Sequence, residues 1–146
     1  MVDSMAGSGG AFFTDSDSVT LVMSGCQIVN SRATNGFGGA LHILGGHATL
    51  MNECTIVDTS ARLTTTTSPA RGAAIAIIGG RLTATGLLIE DSHAVAGGGA
   101  VAIDGGRVVL TESRIRRTFE RAFRLAGGEL HLVRSIVERS EASPPS

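Results

Sequence analysis

The sequence predicts an all-β solenoid of five coils, each built from three short strands. Three observations support this fold class: one unit recurs along the chain, apolar residues alternate inside each unit, and Gly-Gly follows the first strand of most copies. Repeats of about 20 to 50 residues are typical of solenoid proteins. The copies open on five alanines, at Ala11, Ala40, Ala74, Ala100 and Ala122.

The first strand of each copy follows its alanine directly. In the second copy Leu41 and Ile43 share one face, which is the two-residue period of a strand. A pair of glycines then turns the chain in four of the copies. The pairs are Gly45-Gly46, Gly79-Gly80, Gly105-Gly106 and Gly127-Gly128.

Two further strands complete each copy. In the second copy, Ala48 and Leu50 belong to the second strand, and Cys54 and Ile56 belong to the third. The third and fourth copies repeat this pattern at Leu82, Ala84, Leu87 and Ile89, and at Val108, Leu110, Ser113 and Ile115.

Stacking the copies predicts columns of equivalent side chains. Three columns are apolar and form the predicted core: Phe12, Leu41, Ile75, Val101 and Phe123; Thr14, Ile43, Ile77, Ile103 and Leu125; and Ile28, Ile56, Ile89, Ile115 and Val137. β-Branched residues are typical of strands. A fourth column carries hydroxyls that are expected to bond turn backbone: Ser31, Thr59, Ser92, Thr118 and Ser140.

The copies differ in length mainly after the third strand, since the alanines lie 29, 34, 26 and 22 residues apart. The longest insert, residues 63–71, is rich in Thr and is predicted to protrude as a loop. We expect a flexible lead-in at residues 1–9, a single domain at residues 10–140 and a tail at residues 141–146.

Composition excludes several classes of protein. The net charge is −1 and the mean hydropathy is +0.24, so neither attraction to nucleic acid nor disorder is indicated. No apolar run is long enough for a membrane span, and the first ten residues lack the pattern of a signal peptide.

The repeats resemble those of right-handed parallel β-helix proteins, in particular the Gly-Gly-Ala-Ile repeats of polymorphic outer-membrane autotransporter passengers. Gly38-Gly39-Ala40-Leu41 and Gly98-Gly99-Ala100-Val101 carry the resemblance, and Gly72-Ala73-Ala74-Ile75 is a degenerate copy. The Phe-x-x-Asn element of those passengers is missing. The resemblance implies an extracellular or cell-surface protein, and the β-helix class includes pectate-lyase-like enzymes, phage tailspikes and adhesins.

A carbohydrate-active enzyme of this class would use a lateral groove with clustered charges. The first strands place two columns outward: Phe13, His42, Ala76, Ala102 and Arg124; and Asp15, Leu44, Ile78, Asp104 and Ala126. No carboxylate pair lies across neighbouring coils, as glycoside hydrolysis requires. The alternative catalytic cluster is therefore Asp15, Asp17, Asp104, Arg107 and Arg124, although Asp15 and Asp17 are first predicted as turn residues.

The positions of the histidines and cysteines predict no metal or cofactor site. The four histidines fall in four different columns, at His42, His47, His93 and His131. Cys26 and Cys54 share one inward column of neighbouring coils, about 4.8 Å apart. Two buried thiols are favoured over a disulfide, because side chains on parallel neighbours lie alongside each other.

Arginines concentrate in the carboxyl-terminal third of the chain. Glu90, Arg116 and Glu138 share one column, and Asp91, Arg117 and Arg139 share the next, so opposite charges are expected to pair across neighbouring coils. A solvated, partly paired face is favoured over a phosphate-binding surface.

The expected function is inferred from the two ends of the repeat stack. Open ends present unpaired strand edges and core side chains, and neither end has an obvious cap in the sequence. We therefore expect a non-enzymatic structural or binding module that acts in assembly or adhesion, by self-association or by docking on another protein. The candidate interaction residues are Phe12, Phe13, Arg116, Arg117 and Phe123; carbohydrate binding is the alternative.

Overall fold

The computed structural model describes residues 2–8, 10–62, 72–94, 99–119 and 121–141. All of its regular structure is β. Three strands form each of five coils, preceded by one further strand. The strands are β1 (Val2–Ser8), β2 (Phe12–Thr14), β3 (Thr20–Ser24), β4 (Gln27–Phe37), β5 (Leu41–Ile43), β6 (His47–Met51), β7 (Thr55–Ala61), β8 (Ile75–Ile77), β9 (Arg81–Thr85), β10 (Leu88–Ala94), β11 (Val101–Ile103), β12 (Arg107–Thr111), β13 (Arg114–Phe119), β14 (Phe123–Leu125), β15 (Glu129–Val133) and β16 (Ile136–Glu141).

Every strand pairs in parallel with its equivalent in the next coil, which gives three parallel sheets. Sheet A has the order β1-β4-β7-β10-β13-β16, sheet B has β2-β5-β8-β11-β14 and sheet C has β3-β6-β9-β12-β15. Coil 1 is β2 to β4, and coil 5 is β14 to β16. The prediction of a five-coil parallel β-helix is confirmed.

The predicted columns are confirmed by the strand register. Ile28, Ile56, Ile89, Ile115 and Val137 are successive partners in sheet A. Sheets B and C add equivalent inward columns, and their members in coils 2 to 4 are fully buried. The core is therefore a stack of aliphatic layers between the three sheets.

Four members of the predicted hydroxyl column are buried: Ser31, Thr59, Ser92 and Thr118. Thr59 and Ser92, which are direct partners on β7 and β10, are joined by a hydrogen bond of 3.1 Å between their hydroxyls. Parallel register places like residues side by side, so these two hydroxyls bond to each other across neighbouring coils rather than to turn backbone. This bond joins coils 2 and 3 inside the stack.

Glycine is required where the turns between sheets B and C stack. Gly106 has a φ of +76°, and a Cβ at this position would lie 2.4 Å from the carbonyl oxygen of Gly80. Gly80 stands in the same relation to Gly46, also at 2.4 Å. The Gly-Gly repeat is thus explained by backbone-to-backbone contact between coils.

The strands of sheet A bend at one left-handed residue. Asn30, Asp58, Asp91 and Arg117 have φ between +49° and +55° and precede the hydroxyl column. Asn and Asp tolerate this conformation better than most residues. The bend turns the chain towards the next coil.

The amino-terminal segment differs from the expected lead-in. Residues 2–8 form β1, which pairs in parallel with β4, including Val2 with Val29 and Ser4 with Ser31. The run Val2-Asp3-Ser4-Met5-Ala6 matches Val57-Asp58-Thr59-Ser60-Ala61, so β1 repeats a sheet A strand. The predicted loop at residues 63–71 lies outside the described residues, as does the tail beyond residue 141.

Candidate interaction surfaces

The coil-5 end exposes side chains that belong to the core columns. Leu125 is 55 % exposed, Leu132 is 44 % exposed and Val137 is 43 % exposed. Their partners one coil earlier, Ile103, Leu110 and Ile115, are buried. Side chains that point inward are therefore buried in coil 4 but exposed to solvent in coil 5. We call Leu125, Leu130, Leu132, Val137 and the edges of β14, β15 and β16 the coil-5 end.

The opposite end is less open. The side chain of Ile28 in β4 is buried, and β1 lies along the edge of that strand. The inward residues Phe12, Leu21 and Met23 are partly buried against the core. Of the candidate interaction residues, Phe12 and Phe123 thus belong to the two end layers, while Phe13 lies on the outer face of sheet B.

Charged side chains of coil 5 form ion pairs with coil 4. Arg124 donates to Asp104 at 2.6 Å, and Arg134 donates to Glu112 at 2.6 Å. Glu129 lies 3.4 Å from Arg107, and Glu138 lies 3.9 Å from Arg114. These four pairs join opposite charges across the coil 4–coil 5 boundary and direct them away from the coil-5 end.

The predicted neutralising columns are confirmed between coils 3 and 4. Arg116 donates to Glu90 at 3.0 Å, and Arg117 makes two bonds to Asp91, at 2.8 and 3.0 Å. Arg117 also contacts Glu90. Both candidate arginines are thus engaged within the molecule.

The outer face of sheet B carries an aromatic cluster. The rings of Phe37 and His42 stack with centroids 5.1 Å apart, and the ring of Phe13 lies 5.2 Å from His42. These residues, with Leu44 and Ile78, line a cavity of about 490 Å³. Phe37 lies outside the repeat, so the repeat pattern alone could not place it beside His42.

The outward column on this face is more buried than expected. His42, Ala76 and Ala102 were predicted to face solvent, and they do lie on the outer side of sheet B, yet all three are buried. The side chains of this column in coils 2 to 4 are therefore shielded from solvent.

The alternative catalytic residues lie in different parts of the molecule. Asp15 and Asp17 are exposed, and Ser16 to Val19 form a hydrogen-bonded turn. Asp104 occupies the position equivalent to Asp15 three coils further along the stack. At the spacing of paired strands, the two residues are about 14 Å apart. Arg124 pairs with Asp104, whereas Arg107 pairs with Glu129 on the other side of the Gly-Gly turn.

The two cysteines are free thiols in neighbouring coils, as favoured from the sequence, but only Cys54 is fully buried and Cys26 is half-buried. The backbone N–H of Cys26 donates to the Cys54 Sγ at 3.3 Å. Leu87 and Ser113 donate in the same way to the hydroxyls of Ser113 and Ser135. Burial, with the nearby Cys54, raises the pKa of Cys26 from 9.0 to about 12.

Within the described ranges there is no cluster of three or more His, Cys, Asp or Glu residues that could hold a metal ion. Likewise, no described helix is long and apolar enough to cross a membrane.

We compared the chain with protein-family models, with curated protein sequences and with solved structures, and found no match in any of the three.

Proposed function

We propose that this chain is a non-enzymatic structural and binding module that acts in assembly or adhesion through its coil-5 end. The single observation that supports this proposal is the exposure of core-column side chains, above all Leu132, in a fold where the equivalent residues are buried. Exposed apolar side chains beside unpaired strand edges favour association with a partner that covers both.

The proposal extends to the class of protein. The Gly-Gly-Ala repeats resemble those of outer-membrane autotransporter passengers. Exposed apolar side chains at the coil-5 end would suit an adhesin-like role at the cell surface. The Thr-rich segment at residues 63–71, part of the original expectation, lies outside the described residues and carries none of this argument.

The carbohydrate-active alternative has weaker support. Asp104 is the carboxylate on the outer face of sheet B in coil 4, and its partner there is Arg124. Asp15 lies three coils away, so the two carboxylates do not flank one substrate bond.

The test is the mass of the chain in solution, measured by light scattering over a concentration series. Leu132→Asp places a charge on the coil-5 end and is expected to abolish association. Val22→Asp is the matched control, since Val22 is also an exposed apolar residue of sheet C but lies on the outer side of β3.

Association that is lost in Leu132→Asp and kept in Val22→Asp would support the proposal. A chain that stays monomeric at every concentration, or an association that Leu132→Asp leaves intact, would contradict it. Circular dichroism shows whether each variant retains its β structure.

A further inference from the structure

Among the described residues, the coil-5 end presents strand edges and apolar side chains, and a second copy of the chain offers both at either of its ends. We propose that the partner is the coil-5 end of a second copy, so that two molecules form a two-fold symmetric dimer. This inference rests on the proposed function and adds the identity of the partner.

Coil 1 of a second copy is obstructed at sheet A. Within the chain, neighbouring coils pair in all three sheets in one step, as β2, β3 and β4 pair with β5, β6 and β7. A copy whose β14 and β15 paired with β2 and β3 would therefore bring β16 to the edge of β4. β1 of the same chain already occupies that edge.

The turn between β2 and β3 also obstructs the approach of a second copy to coil 1. Five residues lie between Thr14 and Thr20, whereas three lie between Ile43 and His47. The longer turn has side chains, including the exposed carboxylates of Asp15 and Asp17, where other coils have Gly-Gly. At these turns the coils approach too closely for a Cβ, as Gly80 and Gly106 demonstrate.

The coil-5 end has neither obstruction. Its turn is Gly127-Gly128, and the edges of β14, β15 and β16 have no strand partner among the described residues on that side. A two-fold axis perpendicular to the stack sets the edge of one sheet antiparallel to its own copy. It sets the edges of the other two sheets antiparallel to each other's copies, and antiparallel strands form regular hydrogen bonds. Both copies then cover the same apolar side chains.

Charge does not oppose contact between two identical faces. The charges of Arg124, Glu129, Arg134 and Glu138 are each matched by an opposite charge on coil 4. A self-complementary interface places like residues near one another, so unmatched charges of one sign would repel. Because these four charges are paired within the chain, they add little to this cost in a dimer of identical faces.

The symmetric contact makes a specific prediction about stoichiometry. A face that binds itself is used up in the dimer, whereas contact between coil 5 and coil 1 leaves ends available for further growth. We expect the mass to rise from 14.9 kDa to twice that value and to stop there.

Two variants separate the modes of contact. Leu132→Asp alters both faces of a symmetric dimer and is expected to raise its dissociation constant at least about 100-fold, since the contact would bury an unpaired carboxylate on each copy. Met23→Asp alters the inward column at coil 1 and is expected to leave the dimer intact, provided that circular dichroism confirms the fold.

Contact between coil 5 and coil 1 would give the opposite result. Met23→Asp would then be monomeric, and mixing it with Leu132→Asp would restore a dimer from one intact end of each. That result, or wild-type mass that grows beyond two copies, would overturn the symmetric dimer while leaving the proposed function standing. The growth measurement needs no variant, so it decides the question even if Met23→Asp does not fold.

Discussion

Leu132 lies directly beside Leu110 on the neighbouring parallel strand, yet Leu110 is fully buried and Leu132 is 44 % exposed. The two residues have the same chemistry, the same strand position and the same direction. Only the presence of a further coil distinguishes them. The difference in their exposed fractions therefore shows how much one adjacent coil contributes to the burial of a core side chain.

Truncation of the two leucines is expected to have unequal effects on folding. Leu110→Ala leaves a cavity between packed coils and should lower the free energy of unfolding by about 2–5 kcal/mol. Leu132→Ala removes contacts from one side only and should cost less than half as much. Urea denaturation of the two variants provides the comparison, at a protein concentration where the chain is monomeric. Equal losses would mean that coil 5 is as tightly packed as coil 4.

Gly106→Ala is expected to destabilise the chain more than Gly25→Ala. Both glycines have positive φ, +76° and +55°, so both substitutions carry the cost of a left-handed alanine, about 1–2 kcal/mol. Only at Gly106 does the added Cβ meet backbone, 2.4 Å from the Gly80 oxygen; at Gly25 the nearest atom is 3.6 Å away. The additional cost at Gly106 should be about 1–3 kcal/mol, measured by thermal or urea unfolding. Similar losses at both sites would show that the turns can separate without strain.

Arg124→Ala is expected to cost more than Arg134→Ala, although both remove an ion-pair bond of 2.6 Å. The Arg124–Asp104 pair is largely buried, whereas both partners of the Arg134–Glu112 pair are exposed. Loss of a hydrogen bond between partly buried charged groups should lower stability by about 1–3 kcal/mol, against less than about 1 kcal/mol for an exposed pair. Unfolding in low and high salt provides the check, since only the exposed pair should be screened strongly. The reverse order would show that burial does not govern these pairs.

The stability of the chain is expected to fall as the pH rises from 9 towards 12. The pKa of Cys26 is raised from 9.0 to about 12 in the folded chain, so the unfolded chain releases this proton first, and deprotonation favours unfolding across that window. The chain contains no Tyr or Lys, so few other groups titrate there.

Cys26→Ser tests this pH dependence, because serine does not titrate and already occupies the equivalent position in coils 4 and 5. The variant should lose stability less steeply between pH 9 and 11 than the wild type. Unfolding curves taken at several pH values, with a reducing agent present, give the two slopes. Identical slopes would assign the effect to another group.

The repeat allowed the core to be predicted residue by residue. Equivalent positions in parallel strands lie side by side, so aligning Ile56 with Ile89 in the sequence also placed them together in sheet A. The same logic placed Glu90 beside Arg116. β1 could have been found in the same way, because Val2-Asp3-Ser4 matches Val57-Asp58-Thr59.

Contacts between residues that are not at equivalent positions of neighbouring coils could not be predicted from the repeat. Arg124 pairs with Asp104 diagonally, since its direct neighbour in sheet B is Ala102. The cluster of His42 with Phe37 depends on where β4 ends, which the repeat does not specify. The left-handed conformation of Arg117 follows from the equivalent Asn and Asp residues of other coils rather than from arginine itself.

The order of strands in the three sheets also has a mechanical consequence. In the part of the chain that the structure describes, each strand pairs only with its equivalents in adjacent coils, so tension applied at the carboxyl-terminal end would load coil 5 before any other coil. The chain would extend in separate steps as successive coils peel away. With repeats of 22 to 34 residues, each step would release roughly 75 to 120 Å of extended chain, and the molecule would absorb force by unwinding rather than by breaking as a whole.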